Sequence, residues 1–220
     1  LSYGQAWERS EDPKHLVAAG EMLLNQGEVA QARMAWNQAL VRAPDLLDAH
    51  RKMTQLRLNL AELYGTGENW EGVSSAAQDM LKVESLDAED EAFARHGLGL
   101  ALVNLAIRDE SNAQAGIEEL RRAVELAPAR VTYLTDLAGE QARLGERDAA
   151  EQQYAEGLDL FSAGADGAAA RVAYAQYLAS QRSFDQASDL FEEALAMAEG
   201  DSEAIADAKL AYSNFLIQQW

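Results

Sequence analysis

Apolar residues recur along this chain with the 3.6-residue period of a helix, interrupted by short polar turns. The clearest stretch is PKHLVAAGEMLLNQGEVAQARMAWNQALVRAP, Pro13 to Pro44. Leu16, Ala19 and Leu23 fall on one helical face, Gly27-Glu28 marks a turn, and Ala32, Trp36, Ala39 and Leu40 share a face of a second helix. Pro13 suits a first helical turn, where its missing N–H would have no partner anyway, and Pro44 marks the next break.

The same pattern returns four times. Asn69-Trp70-Glu71 precedes Val73, Ala77, Met80 and Leu81; Ser111-Asn112 precedes Gly116, Leu120, Ala123 and Val124, with Pro128 beyond. Gly145-Glu146-Arg147 precedes Ala150, Tyr154, Gly157 and Leu158; Ser183-Phe184-Asp185 precedes Ala187, Phe191, Ala194 and Leu195. From Trp36 through Ala77, Leu120 and Tyr154 to Phe191 the steps are 41, 43, 34 and 37 residues. A 34-residue step is one helix–turn–helix unit. The two longer steps place about two extra helical turns in the first helices of units two and three, which run about 45–64 and 87–109. Asp45 and Asp87 suit the starts of those helices, where a carboxylate meets the positive end of the dipole. Eleven helices are expected: 13–26, 28–42, 45–64, 69–83, 87–109, 112–126, 129–144, 147–161, 165–181, 184–198 and 202–219. A short one is added around Tyr3 to Glu8. No window alternates with the period of a strand. The reading is one array over 13–220, in units of about 13–44, 45–85, 87–128, 129–162 and 165–199 plus a terminal helix, after a lead-in of 1–12.

Leu16, Ala19, Gly20, Leu23, Ala32, Trp36, Ala39 and Pro44 resemble the helix-pair motif of the tetratricopeptide repeat family, and Ala175, Leu178, Ala187, Phe191 and Ala194 repeat the likeness in unit five. Units two and three depart most, with Ala77 and Gly116 at positions where the family has a larger residue or alanine. The resemblance implies an all-α, right-handed superhelical solenoid of antiparallel helix pairs whose first helices line a concave groove for a peptide or helix. Carried onto this chain, that groove holds Lys14, Val17, Glu21 and Leu24 in unit one and Gln55, Leu58, Asn59 and Glu62 in unit two. Units three to five add Ala101, Leu105 and Arg108, then Thr132, Thr135 and Gly139, then Val172, Gln176 and Ala179. Chaperone-binding members of the family grip a C-terminal carboxylate with Lys, Arg and Asn. Here the equivalent places carry Val17, Glu21, Leu98 and Leu102, and only Asn59 agrees, so that clamp is absent.

Composition narrows the partner. Alanine supplies about one residue in five, and there are 3 Pro and no Cys. The alanines are helix formers and also the small side chains that let helices approach to about 8–10 Å. Without cysteine there is no disulfide, thiolate zinc site or cysteine nucleophile. The net charge is −19, and all of it falls after Arg57, because residues 1–57 are balanced. That surplus argues against nucleic acid and anionic membranes. No apolar run reaches the roughly 20 residues of a bilayer span, and no basic-then-apolar leader pattern opens the sequence as it stands. The acids are placed on outer helix faces, and a basic or amphipathic protein partner is favoured.

Catalytic patterns are missing. His15, His50 and His96 have no second histidine at i+3 or i+4, Gly65-Thr66-Gly67-Glu68-Asn69-Trp70 reads as a turn, and Gly97-Leu98-Gly99 reads as close helix packing or a weak point. Asp87, Glu89, Asp90 and Glu91 are read as a helix start and not a metal site, and Glu118-Glu119 and Glu192-Glu193 diverge around their helices. No cofactor or metal is expected. The first residue is Leu, which suggests a processed chain or an excised piece. The last half-unit carries an apolar stripe, Leu210, Ala211, Phe215, Leu216 and Trp220, suited to more repeats or to self-association. The expected function is a non-enzymatic scaffold that binds a peptide or helix in its groove. The alternatives are an assembly subunit that docks through its convex face and terminal helix, and a regulatory domain cut from an enzyme. Fourteen Arg against four Lys hint at a bacterial source, and the absence of Cys fits cytoplasm or periplasm.

Overall fold

The computed structural model describes residues 12–84, 86–106 and 110–218, the side chain of Glu110 excepted. Eleven helices lie among them: α1 (Pro13–Asn25), α2 (Val29–Arg42), α3 (Leu47–Tyr64), α4 (Gly67–Met80), α5 (Ala88–Leu105), α6 (Glu110–Leu126), α7 (Val131–Arg143), α8 (Arg147–Leu160), α9 (Gly164–Ser180), α10 (Phe184–Met197) and α11 (Ser202–Ile217). No strand occurs among the described residues. The eleven expected helices are all present, with ends shifted by at most four residues. The chain groups into two compact units, Leu1–Glu119 and Leu120–Trp220, where the sequence pattern reads as one array. The expected helix around Tyr3 to Glu8, the groove position Arg108 and the terminal Trp220 lie outside the described residues.

Three of the turns are copies of one another. Gly27, Gly145 and Arg182 follow α1, α7 and α9 with φ of 81°, 85° and 63°. In each, the next residue's N–H reaches back to close the helix end: Glu28 to Leu23 O, Glu146 to Gln141 O and Ser183 to Leu178 O, all at 2.9 Å. Glycine takes the left-handed conformation freely, whereas Arg182 carries a side chain into it at a cost. These turns belong to units one, four and five, the units of regular length. The longer helices α3 and α5 end differently: α3 stops on Gly65 (φ 62°), and Thr66 caps α4 by accepting from Asn69 N at 3.3 Å.

Helix starts fit the chemistry with two corrections. Asp87 caps α5, accepting from Asp90 N at 2.8 Å, as expected. Asp45 does not start its helix; the turn after Pro44 runs on and α3 begins at Leu47 with Leu46 in the cap position. Asn69 is likewise inside α4, because Thr66 is the better cap two residues before Glu68.

In unit 1 the core runs through Leu16, Ala32, Ala35, Trp36, Ala39, Ala49 and Met53. Trp36 is 1 % exposed and its indole N–H donates to Val17 O at 3.1 Å. It fits because position 20 is glycine: a Cβ there would stand 2.3 Å from Trp36 Nε1. Gly116 of α6 sits as closely against α5, since a Cβ would meet Val103 Cγ2 at 2.5 Å and Gly99 O at 2.8 Å. The Gly97-Leu98-Gly99 run is therefore a close helix crossing at its Gly99 end. Unit 2 is centred on Ala138, Ala150, Tyr154, Ala175, Ala187, Phe191 and Phe215. Arg171, buried in this unit, donates to Phe161 O at 3.3 Å and Gly167 O at 3.1 Å, and pairs with Glu193 at 2.9 Å.

Candidate functional site

The concave features of unit 2 arise from its first helices. α9 packs against both α7 and α11, so the three form one wall. The α9 face toward solvent is nearly all small residues, which leaves an open trough of about 560 Å³. Its floor is Ala168, Ala169, Val172, Ala173, Ala204 and Ala208. Around it stand four carboxylates, Asp166, Asp201, Glu203 and Asp207, and no Lys, Arg or His lines it. Asp201 is occupied as the α11 cap, accepting from Glu203 N and Ala204 N at 3.0 Å. Asp166 and Glu203 lie in first helical turns, where the dipole steadies a carboxylate. No ion pair engages Asp166, Glu203 or Asp207 among the described residues. Asp201, Glu203 and Asp207 are exposed, as the outer-face reading of the acids expects, and they also line the trough. The phase of α11 buries Ala208 and turns its acidic flank toward α9.

A second cavity, about 260 Å³, adjoins the trough and shares Ala173 and Gln176 with it. Asp136, Gly139 and Glu140 come from α7, Tyr154 from α8 and Tyr177 from α9. Tyr154 stacks on Tyr174 with centroids 5.1 Å apart and planes 8° from parallel, and Tyr177 donates to Glu151 at 3.0 Å. Burial, then the nearby Asp136, Tyr177 and Glu140, push the Tyr154 hydroxyl up to about 12. Tyr177 is raised too, by burial and by its bond to Glu151.

The groove positions named from the sequence divide by unit. Thr132, Val172 and Gln176 line the trough, and Thr135, Gly139 and Gln176 line the second cavity. Ala179 is half-buried, and the Thr135 hydroxyl is turned back onto Val131 O at 3.1 Å. In unit 1, Val17, Leu58 and Ala101 do not face an open groove. Each lies on the flank of its helix that a neighbour covers, so their side chains are interior. Glu21 pairs with Lys52, Gln55 donates to Asn59 at 2.7 Å, and Leu24 packs onto the core. Lys14 and Glu62 are exposed, and Leu105 is half-buried. A cavity of about 80 Å³ in unit 1 is bounded by Asn37, His50, Arg57 and Asp79 and includes none of the named positions. Sequence reasoning missed Asp166, Asp201, Glu203, Asp207 and Tyr154 as site residues. The first lay in plain view at i−6 from Val172, but a carboxylate in a first turn already has a structural reason to be there.

The remaining chemical candidates have packing roles. His50 Nε2 is 2.7 Å from Pro44 O, and His96 is buried. Asp90 pairs with Arg51, which also lies 5.3 Å from the centre of the Phe93 ring, while Arg95 bridges Glu91 and Glu119 at 2.7 Å each. Among the described residues no cluster of three metal-ligating side chains occurs, and no helix is long and apolar enough to cross a membrane.

No protein-family model and no curated protein sequence matches the chain. Solved structures do. TTC0263, a thermophilic tetratricopeptide repeat protein from Thermus thermophilus, superposes with a TM-score of 0.63 at 20 % identity, over 93 % of this chain and 99 % of that one. The chain has the tetratricopeptide-repeat fold. YrrB, a tetratricopeptide repeat protein described as having an unusual peptide-binding site, gives a TM-score of 0.57 at 18 % identity over 95 % of this chain and 98 % of its own. MamA gives 0.62 at 18 % identity over 87 % and 94 %. At these identities the likeness concerns the repeat fold, and the function has to be argued from the side chains of this chain.

Proposed function

We propose that this repeat protein is a non-enzymatic interaction scaffold, and that its second unit takes a basic amphipathic helix or peptide against α7, α9 and α11. The observation that carries the reading is the trough: an alanine floor that admits large apolar side chains, under a rim of four carboxylates with no lining cation. Apolar contact on the floor provides affinity, and the rim favours Lys and Arg while repelling acidic segments. YrrB, with its described peptide-binding site, is a precedent for the ligand class on this fold.

The test is fluorescence anisotropy with two labelled synthetic 15-residue amphipathic helices, one of Leu and Lys, the other of Leu and Glu. The Lys peptide binds, weakens about tenfold between 50 and 500 mM salt, and weakens further on Asp166→Lys with Asp207→Lys. Equal binding of both peptides, or no response to the two substitutions, refutes the reading.

A second reading, an assembly module, draws on α11, which exposes Leu210 (63 %), Leu216 (44 %) and Ile217 (71 %). The apolar stripe expected there splits, because Phe215 is buried against Phe184 and Phe191. Light scattering after size exclusion decides between them: concentration-dependent association lost on Ile217→Glu supports assembly, and a strict monomer removes it.

A further inference from the structure

Unit 1 carries a positive spot that its own acids do not cover. It surrounds the small cavity between α2, α3 and α4. Asn37 stands one turn after Arg33 on α2, His50 and Arg57 are two turns apart on α3, and Ser75 and Asp79 are one turn apart on α4. The half-buried Arg57 side chain lies against α4, because position 72 is glycine and a Cβ there would fall on Arg57 Nη1. No carboxylate among the described residues is within ion-pair distance of Arg57 or of Arg33. Neighbouring arginines are matched: Arg51 pairs with Asp90, and Arg95 with Glu91 and Glu119. Asp79, the one acid on the cavity wall, is tied to Lys82 at 2.7 Å. Burial, and then the nearby Arg33, press Arg57 below its ordinary value, with Asp79 opposing. The chain has 37 acids against 18 bases, yet here one guanidinium faces another across a hollow. A cation drawn out of water without an acceptor is unfavourable, so the arrangement calls for an anion.

We infer that this cavity binds a single phosphate group, as the free ion or as a phosphomonoester. The Arg57 guanidinium is its anchor, the Asn37 amide and the Ser75 hydroxyl are further donors, and Arg33 supplies a second charge. The inference concerns unit 1 and does not depend on the trough reading in unit 2. Size sets the guest: about 80 Å³ takes a few waters or one tetrahedral oxyanion, and excludes a nucleoside or an indole. Charge agrees, since a phosphomonoester carries about 1.5 to 2 negative charges near neutral pH, which two guanidiniums balance, whereas a carboxylate leaves one over. The planar fork of Arg57 offers parallel N–H groups to two phosphate oxygens, and the donors of α2 and α4 are left for the others. His50 closes the wall, with Nε2 on Pro44 O at 2.7 Å. The net charge of −19 repels a polyanion, so the spot accepts one phosphate and not a nucleic-acid strand.

The experiment is an amide NMR titration of the whole chain, at constant ionic strength, with inorganic phosphate, N-acetyl-phosphoserine methylamide and acetate. Both phosphate compounds move the amides of Asn37, Arg57 and Ser75 with a Kd on the order of 1 mM, and acetate leaves them in place. Arg57→Gln weakens binding about tenfold and Arg33→Gln about threefold. Gly72→Ala is the sharper variant, because it keeps every charge, favours the helix and displaces only the flexible end of Arg57. It weakens binding about fivefold while the urea midpoint does not fall. Asp79→Asn removes the competing acid and tightens binding, and Lys209→Gln, in unit 2, changes nothing. Tighter binding of the phosphoserine compound assigns the site to a phosphorylated partner segment, tighter binding of inorganic phosphate assigns it to the free ion, and either supports the pocket. Equal shifts with acetate, equal affinity in the native and Gly72→Ala chains, or a loss on Lys209→Gln as large as on Arg57→Gln overturns it.

Discussion

Gly20, Gly116 and Gly157 stand at helix crossings, and alanine at each is a graded test of how rigid those crossings are. In an open helix, Gly→Ala stabilises by roughly 0.5–1 kcal/mol, because the unfolded chain loses freedom. At Gly157 the added Cβ meets only Leu134 Cδ2, at 2.9 Å, the movable end of a leucine. The helix gain and the small repacking cost nearly cancel, and the net change is within about 0.5 kcal/mol of zero. At Gly20 the Cβ falls 2.3 Å from Trp36 Nε1 and 2.7 Å from Cδ1, so a flat, buried indole has to move and its bond to Val17 O is lost. Overpacking of about 1–3 kcal/mol plus about 1 kcal/mol for the hydrogen bond, less the helix gain, leaves a loss of about 1–3 kcal/mol. At Gly116 the obstacles include Gly99 O at 2.8 Å and Val103 N at 2.9 Å, which are backbone atoms of α5. Nothing there moves without shifting a helix, and the loss is about 3 kcal/mol or more. Urea unfolding followed by far-ultraviolet circular dichroism measures this. With a slope of about 2–3 kcal/mol/M, the midpoint of Gly116→Ala falls by about 1 M, that of Gly20→Ala by less, and that of Gly157→Ala stays in place. A Gly116→Ala midpoint at or above that of Gly157→Ala would mean that the α5–α6 crossing is looser than its geometry, and the reasoning would fail.

Arg182→Gly relieves a side chain held at φ 63° and stabilises the protein by about 0.5–1 kcal/mol in thermal unfolding. Trp36→Ala costs about 3–5 kcal/mol in chemical denaturation, and a loss below about 1 kcal/mol would show that Trp36 is not core. The Tyr154 hydroxyl, raised to about 12 in the folded state from an ordinary value of 10, makes stability fall with alkali. The folded state holds that proton more tightly, so stability is flat below pH 10 and about 2 kcal/mol is lost as pH rises to 12. Denaturation curves of Tyr154→Phe lack that part of the decline.

The helices were legible because their evidence is local. Pro13, the apolar spacing around Trp36 and the Gly27 and Gly145 turns each act within a few residues. The extra turns of units two and three were legible for the same reason, and α3 and α5 are both 18 residues long. The start of α3 was not, since Asp45 is a plausible cap in any sequence and only the path of the turn after Pro44 displaces it. In unit 2 the projected positions Thr132, Val172 and Gln176 line the trough, because they sit on the uncovered faces of their helices. The same projection failed at Val17, Leu58 and Ala101, because whether a flank is covered depends on the neighbouring helix and not on its own period. Tyr154 matched the large position of the repeat, and it belongs to the core of unit 2, while the cavity it borders is closed by residues of other helices that its own period does not reveal.

The placement of the aromatic residues has a spectroscopic consequence. Unit 1 buries Trp36 and Trp70, whereas the described part of unit 2 contains no tryptophan and packs Tyr154, Tyr174 and Tyr177 into one group and Phe191, Tyr212 and Phe215 into another. Once Trp7 and Trp220 are replaced by phenylalanine, indole emission reports on the first half of the molecule alone. Near-ultraviolet dichroism of the phenol bands then weighs toward the second half, which holds five of the seven tyrosines and all of the stacked ones among the described residues. The two halves therefore carry separate optical labels, and whether they melt together or in sequence can be read from one dye-free sample at two wavelengths.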